Sequence, residues 1–245
     1  LADLFAQNES TSPLLSSTLS NVKENELTWS FTPLNTRLSV LRQLLAQLAS
    51  NKVVLKREED LAQVLTDARS QLLFIEKTLA KPTELPGPTG ESNILYLESR
   101  GTVSCLRCAD TSFNFWMISI ISALAAGNCA IAVVDEQFYS EALSIVGQLE
   151  NIGVPEGVLT VAKLGHLPAV LNHIHLAGAV VDNQSPLKKY VGETIAARKG
   201  AILPIITAYT NESLFDRLVT EKTITIDTTA AGGNASLMTM ESNVG

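Results

Sequence analysis

Cysteine is scarce in this chain: Cys105, Cys108 and Cys129 are the three found among 245 residues. So sparse and odd a set excludes a disulfide-built secreted scaffold and points to the cytoplasm. Basic charge is short as well, with 18 Lys and Arg against 25 Asp and Glu, a formal net charge of -7. The adjacent basic pairs Lys56-Arg57, Lys188-Lys189 and Arg198-Lys199 are too few for a phosphate-tracking stripe, which argues against nucleic-acid binding. No GxGxxG, Walker phosphate loop, HExxH or GxSxG occurs. Gly and Pro, at 14 and 9, are too few for collagen or a low-complexity array.

One long uncharged run, residues 111–134, is long enough to span a membrane. Its polar Asn114, Ser119 and Ser122, its central Gly127-Asn128 and the flanking acids Asp110 and Asp135 oppose a span. Two buried elements are expected instead. The chain opens on Leu1 without a signal peptide and is expected to be a piece of a longer protein.

With 46% apolar residues, a chain of this length can bury a core without metal or disulfide. The stretch 8–25 is Ser/Thr/Asn-rich and reads as loop with one short helix. Leu34, Leu38, Leu41, Leu45 and Leu48 then mark one helical face, and Leu61, Val64, Leu65, Ala68, Leu72, Ile75 and Leu79 a second. Residues 81–92 carry three prolines and two glycines and read as a boundary without regular structure.

Short strands are expected at 94–97, 102–106, 130–134, 158–161, 175–181, 201–207 and 223–226. Helices at 113–126, 139–149, 168–172, 188–197 and 212–219 separate most of them. That alternation predicts an α/β fold: a Rossmann-like open, mostly parallel sheet with N-terminal helices and a C-terminal hairpin or arm. The expected parts are 1–84 (helical), 85–221 (nucleotide-fold) and 222–245 (strand arm). In the arm Ile224 and Ile226 alternate with threonines, and Gly232, Gly233, Asn234 and Leu237 follow; these six are the candidate interaction residues.

The chemistry-bearing patterns are thin. Cys105-Leu106-Arg107-Cys108 has redox or half-zinc spacing, but it falls on a strand, and its odd separation sends the thiols to opposite faces. His173 and His175 could share a strand face with His166 nearby in sequence, but no histidine follows and Asp182 is the only carboxylate soon after, so no metal site is expected. No catalytic residue is assigned.

Phe113-Asn114-Phe115, the run Ala123-Leu124-Ala125-Ala126-Gly127-Asn128, and Gly153-Val154-Pro155-Glu156-Gly157 together resemble the cofactor-binding half of the aldehyde dehydrogenase superfamily. The flanking Leu85-Pro86-Gly87-Pro88-Thr89-Gly90-Glu91-Ser92-Asn93 and Ala230-Ala231-Gly232-Gly233-Asn234 resemble the C-terminal region of the bifunctional proline utilization A family. That family joins a flavin-dependent proline dehydrogenase to a nicotinamide-dependent glutamate-semialdehyde dehydrogenase, so FAD and NAD are implied for a full-length parent.

By this resemblance Asn114 matches an oxyanion-donating asparagine and Glu136 a ribose-binding glutamate. Val133 stands in place of a ribose-binding lysine, and Val134 in place of the proline after it. Val181-Asp182-Asn183-Gln184-Ser185 stands in place of a Phe-Thr-Gly-Ser-Thr phosphate turn, and Ala208 in place of a general-base glutamate. These departures make Asn114 and Glu136 remnants. The expectation is a non-catalytic domain without cofactor, inactive in isolation. It would support a semialdehyde dehydrogenase module of the same polypeptide, intermediate channelling and homo-oligomerisation. A degenerate but functional NAD-binding domain is the alternative.

Overall fold

The structure, a computed structural model, describes residues 22–50, 61–207 and 210–227. Three helices come first: α1 (Val22–Ser30), α2 (Leu34–Ala49) and α3 (Leu61–Leu79). The leucine stripe of α2 is buried at Leu38, Leu41, Leu44, Leu45 and Leu48. Each such side chain contributes about 1.5–3 kcal/mol when fully removed from water.

A three-stranded antiparallel sheet follows, from β1 (Thr83–Leu85), β2 (Glu91–Ser99) and the distant β8 (Val219–Asp227), in the order β1-β2-β8. The Pro/Gly-rich stretch expected to be irregular thus contains a strand. β1 persists because β2 lends it an edge, pairing Thr83 with Leu95 and Leu85 with Asn93.

The larger sheet is parallel, in the order β5-β4-β3-β6-β7. Its strands are β3 (Thr102–Arg107), β4 (Cys129–Val134), β5 (Leu159–Lys163), β6 (Leu176–Val180) and β7 (Ile205–Ile206). Between them run α4 (Phe113–Ala125), α5 (Glu136–Asn151), α6 (Leu167–Leu171) and α7 (Leu187–Ala196), and α8 (Asn211–Leu218) leads into β8. The expected α/β architecture with a parallel Rossmann-like sheet is what the chain adopts. β7 is shorter than the expected 201–207 strand: Pro204 has no N–H to donate, although its carbonyl still accepts from Ala179.

Helices cover both faces of this sheet, and strand alternation sorts the side chains between them. In β4, Ala130, Ala132 and Val134 join the core made with α2 to α5, while Ile131 and Val133 join the core made with α6 and α7. Cys105 lies in the first core and Cys108 in the second, on opposite faces as their spacing implies.

The uncharged run 111–134 is α4 plus β4. Helix α4 closes on Gly127 (φ 90°), where Gly127 N–H reaches the Leu124 carbonyl and Asn128 N–H the Ala123 carbonyl, a glycine-terminated cap. Among the described residues no helix is long and apolar enough to cross a membrane.

Candidate active site

Strand order reverses between β3 and β6, because β3 leads outward to β4 and β5 while β6 leads the other way to β7. In open α/β sheets the crevice beyond the carboxyl ends of the strands at such a point is where ligands bind. Four segments meet that edge: 108–114 after β3, Asp135-Glu136 after β4, the end of β5 at Lys163, and 181–185 after β6.

The strands on either side of the switch point are tied by a small polar cluster. Cys108 Sγ lies 3.3 Å from Thr111 Oγ1 and 3.2 Å from Ser185 Oγ, all three residues being buried. Ser185 Oγ also accepts the Leu187 N–H at 3.2 Å, at the start of α7. Helix α7 thus directs its amino end and its early Lys188 toward this edge, while Lys189 pairs with Glu193 one turn further along the helix.

The described sequence-predicted residues fall as follows. Asn114 is on the first turn of α4 and donates from Nδ2 to Asp67 Oδ2 of α3 at 2.7 Å. Glu136 starts α5, and its Oε1 accepts from Lys163 Nζ at 2.9 Å. That hydrogen bond holds the Lys163 ammonium above its ordinary value, and the ammonium also lies 5.1 Å from the centre of the Tyr139 ring. Val133 is fully buried and faces the α6–α7 core, so it takes no part in the crevice. Asp182 is also buried, and its Oδ1 accepts the Gln184 N–H at 2.9 Å, directing that oxygen into its own turn. Lys188 Nζ hydrogen-bonds Asn183 Oδ1 in the same turn.

Ile224 and Ile226 are on β8, opposite Ile94 and Ser92 of β2, and are half-exposed. They lie away from the crevice. Gly232, Gly233, Asn234 and Leu237, like Ala208, lie outside the described residues. His173 and His175 stack edge-on with ring centres 5.6 Å apart, and no group of three or more potential metal ligands forms among the described residues.

Sequence reasoning missed Lys163. Its spacing from Glu136 carries no motif, and only the pairing of β4 with β5 brings the two strand ends together.

The geometry is that of a dinucleotide-fold domain with its crevice at the switch point. Residues 8–174 match the aldehyde dehydrogenase family model. The chain belongs to the aldehyde dehydrogenase family and is homologous to bifunctional PutA proteins. It is 32% identical over 158 residues to the bifunctional protein PutA of Salmonella typhimurium, covering 64% of this chain and 11% of that protein. A crystal structure of a proline utilization A mutant from Bradyrhizobium japonicum superposes with a TM-score of 0.69 at 25% identity, over 84% of this chain and 23% of that one. An NAD-dependent benzaldehyde dehydrogenase from Corynebacterium glutamicum shares the fold, with a TM-score of 0.64 at 16% identity, over 79% of this chain and 45% of that one. The chain therefore spans about a tenth of the length of the curated PutA relatives it matches.

These findings correct four expectations. The matched family is that of the aldehyde dehydrogenases themselves, so a separate non-catalytic supporting domain is the wrong description. The expected inactive fragment falls with it. So does the expected absence of a cofactor site, since the parallel sheet of a dinucleotide fold is in this chain. The expected partner, a separate semialdehyde dehydrogenase module, is overturned as well, since the aldehyde dehydrogenase family model matches this chain itself. The error had a physical source. Val133 and Asp182 stand where the resemblance implies a ribose-binding lysine and a phosphate turn, whereas Lys163 and Lys188 place cations at the same edge from neighbouring elements.

Proposed function

We propose that the chain forms the dinucleotide-binding part of an NAD-dependent aldehyde dehydrogenase module. The observation that carries the reading is the Glu136–Lys163 pair at the open edge of the sheet. It is a surface ion pair, with side chains 74% and 45% exposed, and such solvent-screened pairs add little to stability. An acceptor and a charged donor fixed side by side suit the two hydroxyls of a ribose. The amino end of α7, with Lys188, suits a pyrophosphate. The donor set at this edge therefore fits the dinucleotide.

Bound NAD supplies a hydride acceptor. The chain's own residues bind and orient. Glu136 and Lys163 would hold a ribose, the carboxylate accepting from one hydroxyl and the ammonium donating to the other. Ser185 and Thr111, through Cys108, tie the carboxyl ends of β3 and β6 together at the edge where the phosphates would be held. Asp67 accepts one hydrogen of the Asn114 amide and so fixes that side chain at the start of α4; the second hydrogen would be the one to serve an oxyanion forming on an aldehyde. The motif resemblance points to glutamate semialdehyde as that aldehyde, in a cytoplasmic enzyme of proline breakdown.

Calorimetric titration of the chain with NAD tests the reading. Saturable binding is expected, with Lys163→Met and Glu136→Gln each weakening it about tenfold, equivalent to about 1.4 kcal/mol. Absence of saturable binding, or variants that bind as the parent does, would overturn it.

The division into 1–84, 85–221 and 222–245 and the six arm residues belong to the same proposal. β8 is an edge strand with Ile224 and Ile226 partly in solvent, a strand edge open to a further contact.

A further inference from the structure

The geometry points to a second binding site at the opposite end of the parallel sheet, in a cleft that accepts a small organic monocarboxylate with an apolar body. The cleft has a volume of about 640 Å³ and lies between α1, α2 and the β2–β8 ribbon. Arg100-Gly101 and Ala126 in its wall precede β3 and β4, so it sits at the amino ends of strands whose carboxyl ends form the NAD crevice.

Two guanidinium groups line it without a carboxylate partner. Arg37 is 7% exposed; its Nε donates to the Ala125 carbonyl at 3.1 Å, and its Nη1 to those of Ser30 and Thr32 at 3.3 and 2.6 Å. Those bonds use three of its five N–H groups and leave Nη2. Arg100 donates from Nε to the Arg217 carbonyl at 2.9 Å and from Nη2 to that of Val219 at 2.8 Å, leaving Nη1. Both groups are therefore pinned by backbone carbonyls, each with a nitrogen to spare. A planar guanidinium with free N–H groups matches a carboxylate in shape and charge.

The remaining charges set the class of anion. Lys222 is paired with Glu98 at 2.9 Å, and Glu26 accepts the Thr102 N–H at 2.9 Å. Among the described residues of the lining, three cations thus face two carboxylates, leaving a single positive charge. A monoanion balances it, whereas a phosphate dianion would meet the repulsion of Glu26 and Glu98. Leu34, Leu79, Leu97 and the highly exposed Phe31 complete the lining and give an alkyl or aryl body a place to rest.

The test is calorimetry of the full chain with sodium hexanoate, with inorganic phosphate and hexylamine as separate arms. One saturable hexanoate site is expected, with no hexylamine binding and no competition by phosphate. Arg100→Gln should weaken hexanoate by about tenfold or more. Because Arg100 also ties backbone carbonyls, Leu34→Trp is the second variant: it removes no hydrogen bond, fills the cleft and should abolish binding with an unchanged melting temperature. Absence of saturable hexanoate binding would overturn the site, as would equal binding of phosphate or hexanoate affinity that survives Leu34→Trp. NAD affinity should be the same in both variants, which separates this site from the crevice at the other end.

Discussion

Asn128 is fully buried and makes more ties than any charged pair on the surface. Its Oδ1 accepts from the backbone N–H groups of Arg100 (2.8 Å) and Gly101 (3.0 Å), and its Nδ2 donates to the carbonyls of Ala123 (3.2 Å) and Leu218 (2.9 Å). One amide thus joins the β2–β3 turn, the end of α4 and the end of α8. Asn128→Ala would strand several buried backbone groups at about 1–3 kcal/mol each, so a loss of roughly 3 kcal/mol or more is expected in urea unfolding. Arg107 and Glu141 form a buried pair at 2.5 Å, with the guanidinium 3.9 Å from the Phe138 ring centre and 4.8 and 4.9 Å from those of Phe113 and Trp116. Glu141→Ala removes the carboxylate opposite that buried cation and should cost about 3–5 kcal/mol. Replacing both partners together, as Arg107→Met with Glu141→Leu, should cost less than the single change, measured by the same unfolding curves. The buried thiols of Cys105 and Cys129 are both pushed up from 9.0 to about 12, chiefly by desolvation. Their neutral form is favoured in the folded state, so this contribution is complete below pH 9 and is lost as pH rises from 9 toward 12. Melting temperatures across that window should fall less steeply in a Cys105→Ala, Cys129→Ala double variant than in the parent.

Among the elements, those buried on both sides are the ones whose pattern reads directly. The run from Phe113 to Ala125 and that from Cys129 to Val134 are apolar nearly throughout, and the Gly127 between them marks where the helix must stop. Elements that owe their existence to a neighbour do not read. β1 has three residues in a proline-rich segment and is visible only once β2 is beside it. β7 is cut to two residues by a proline that accepts but cannot donate. The crevice divides in the same way. Asn114 and Glu136, remnants by the resemblance and crevice residues in the reading proposed above, sit in contiguous motifs, while the relation of Lys163 to Glu136 runs through the pairing of β4 with β5. The weight given to Val133 shows the converse: alternation along β4 had already turned that position into the core. At this scale, Ile224→Ser with Ile226→Ser should leave the melting temperature within about 2 °C, a shift corresponding to less than 1 kcal/mol, since both side chains are half-exposed already. Light scattering of the same variant tests the contact role proposed for β8: a changed mass supports it, and an unchanged mass together with unchanged aldehyde oxidation in the parent protein removes it.

For the whole molecule, the pairing of β2 with β8 has a consequence in time. Residues 91–99 pair with 219–227 through nine successive positions, from Glu91 with Asp227 to Ser99 with Val219. During synthesis at about 5–20 residues per second, roughly 6 to 25 seconds separate the emergence of the two strands. The parallel sheet acquires all its strands before that interval ends, whereas β2 still has only the three residues of β1 along one edge. The smaller sheet is therefore the late-closing part of a nascent chain, and its unfilled edge is the natural place for a chaperone to engage or for two ribosome-bound copies to pair wrongly.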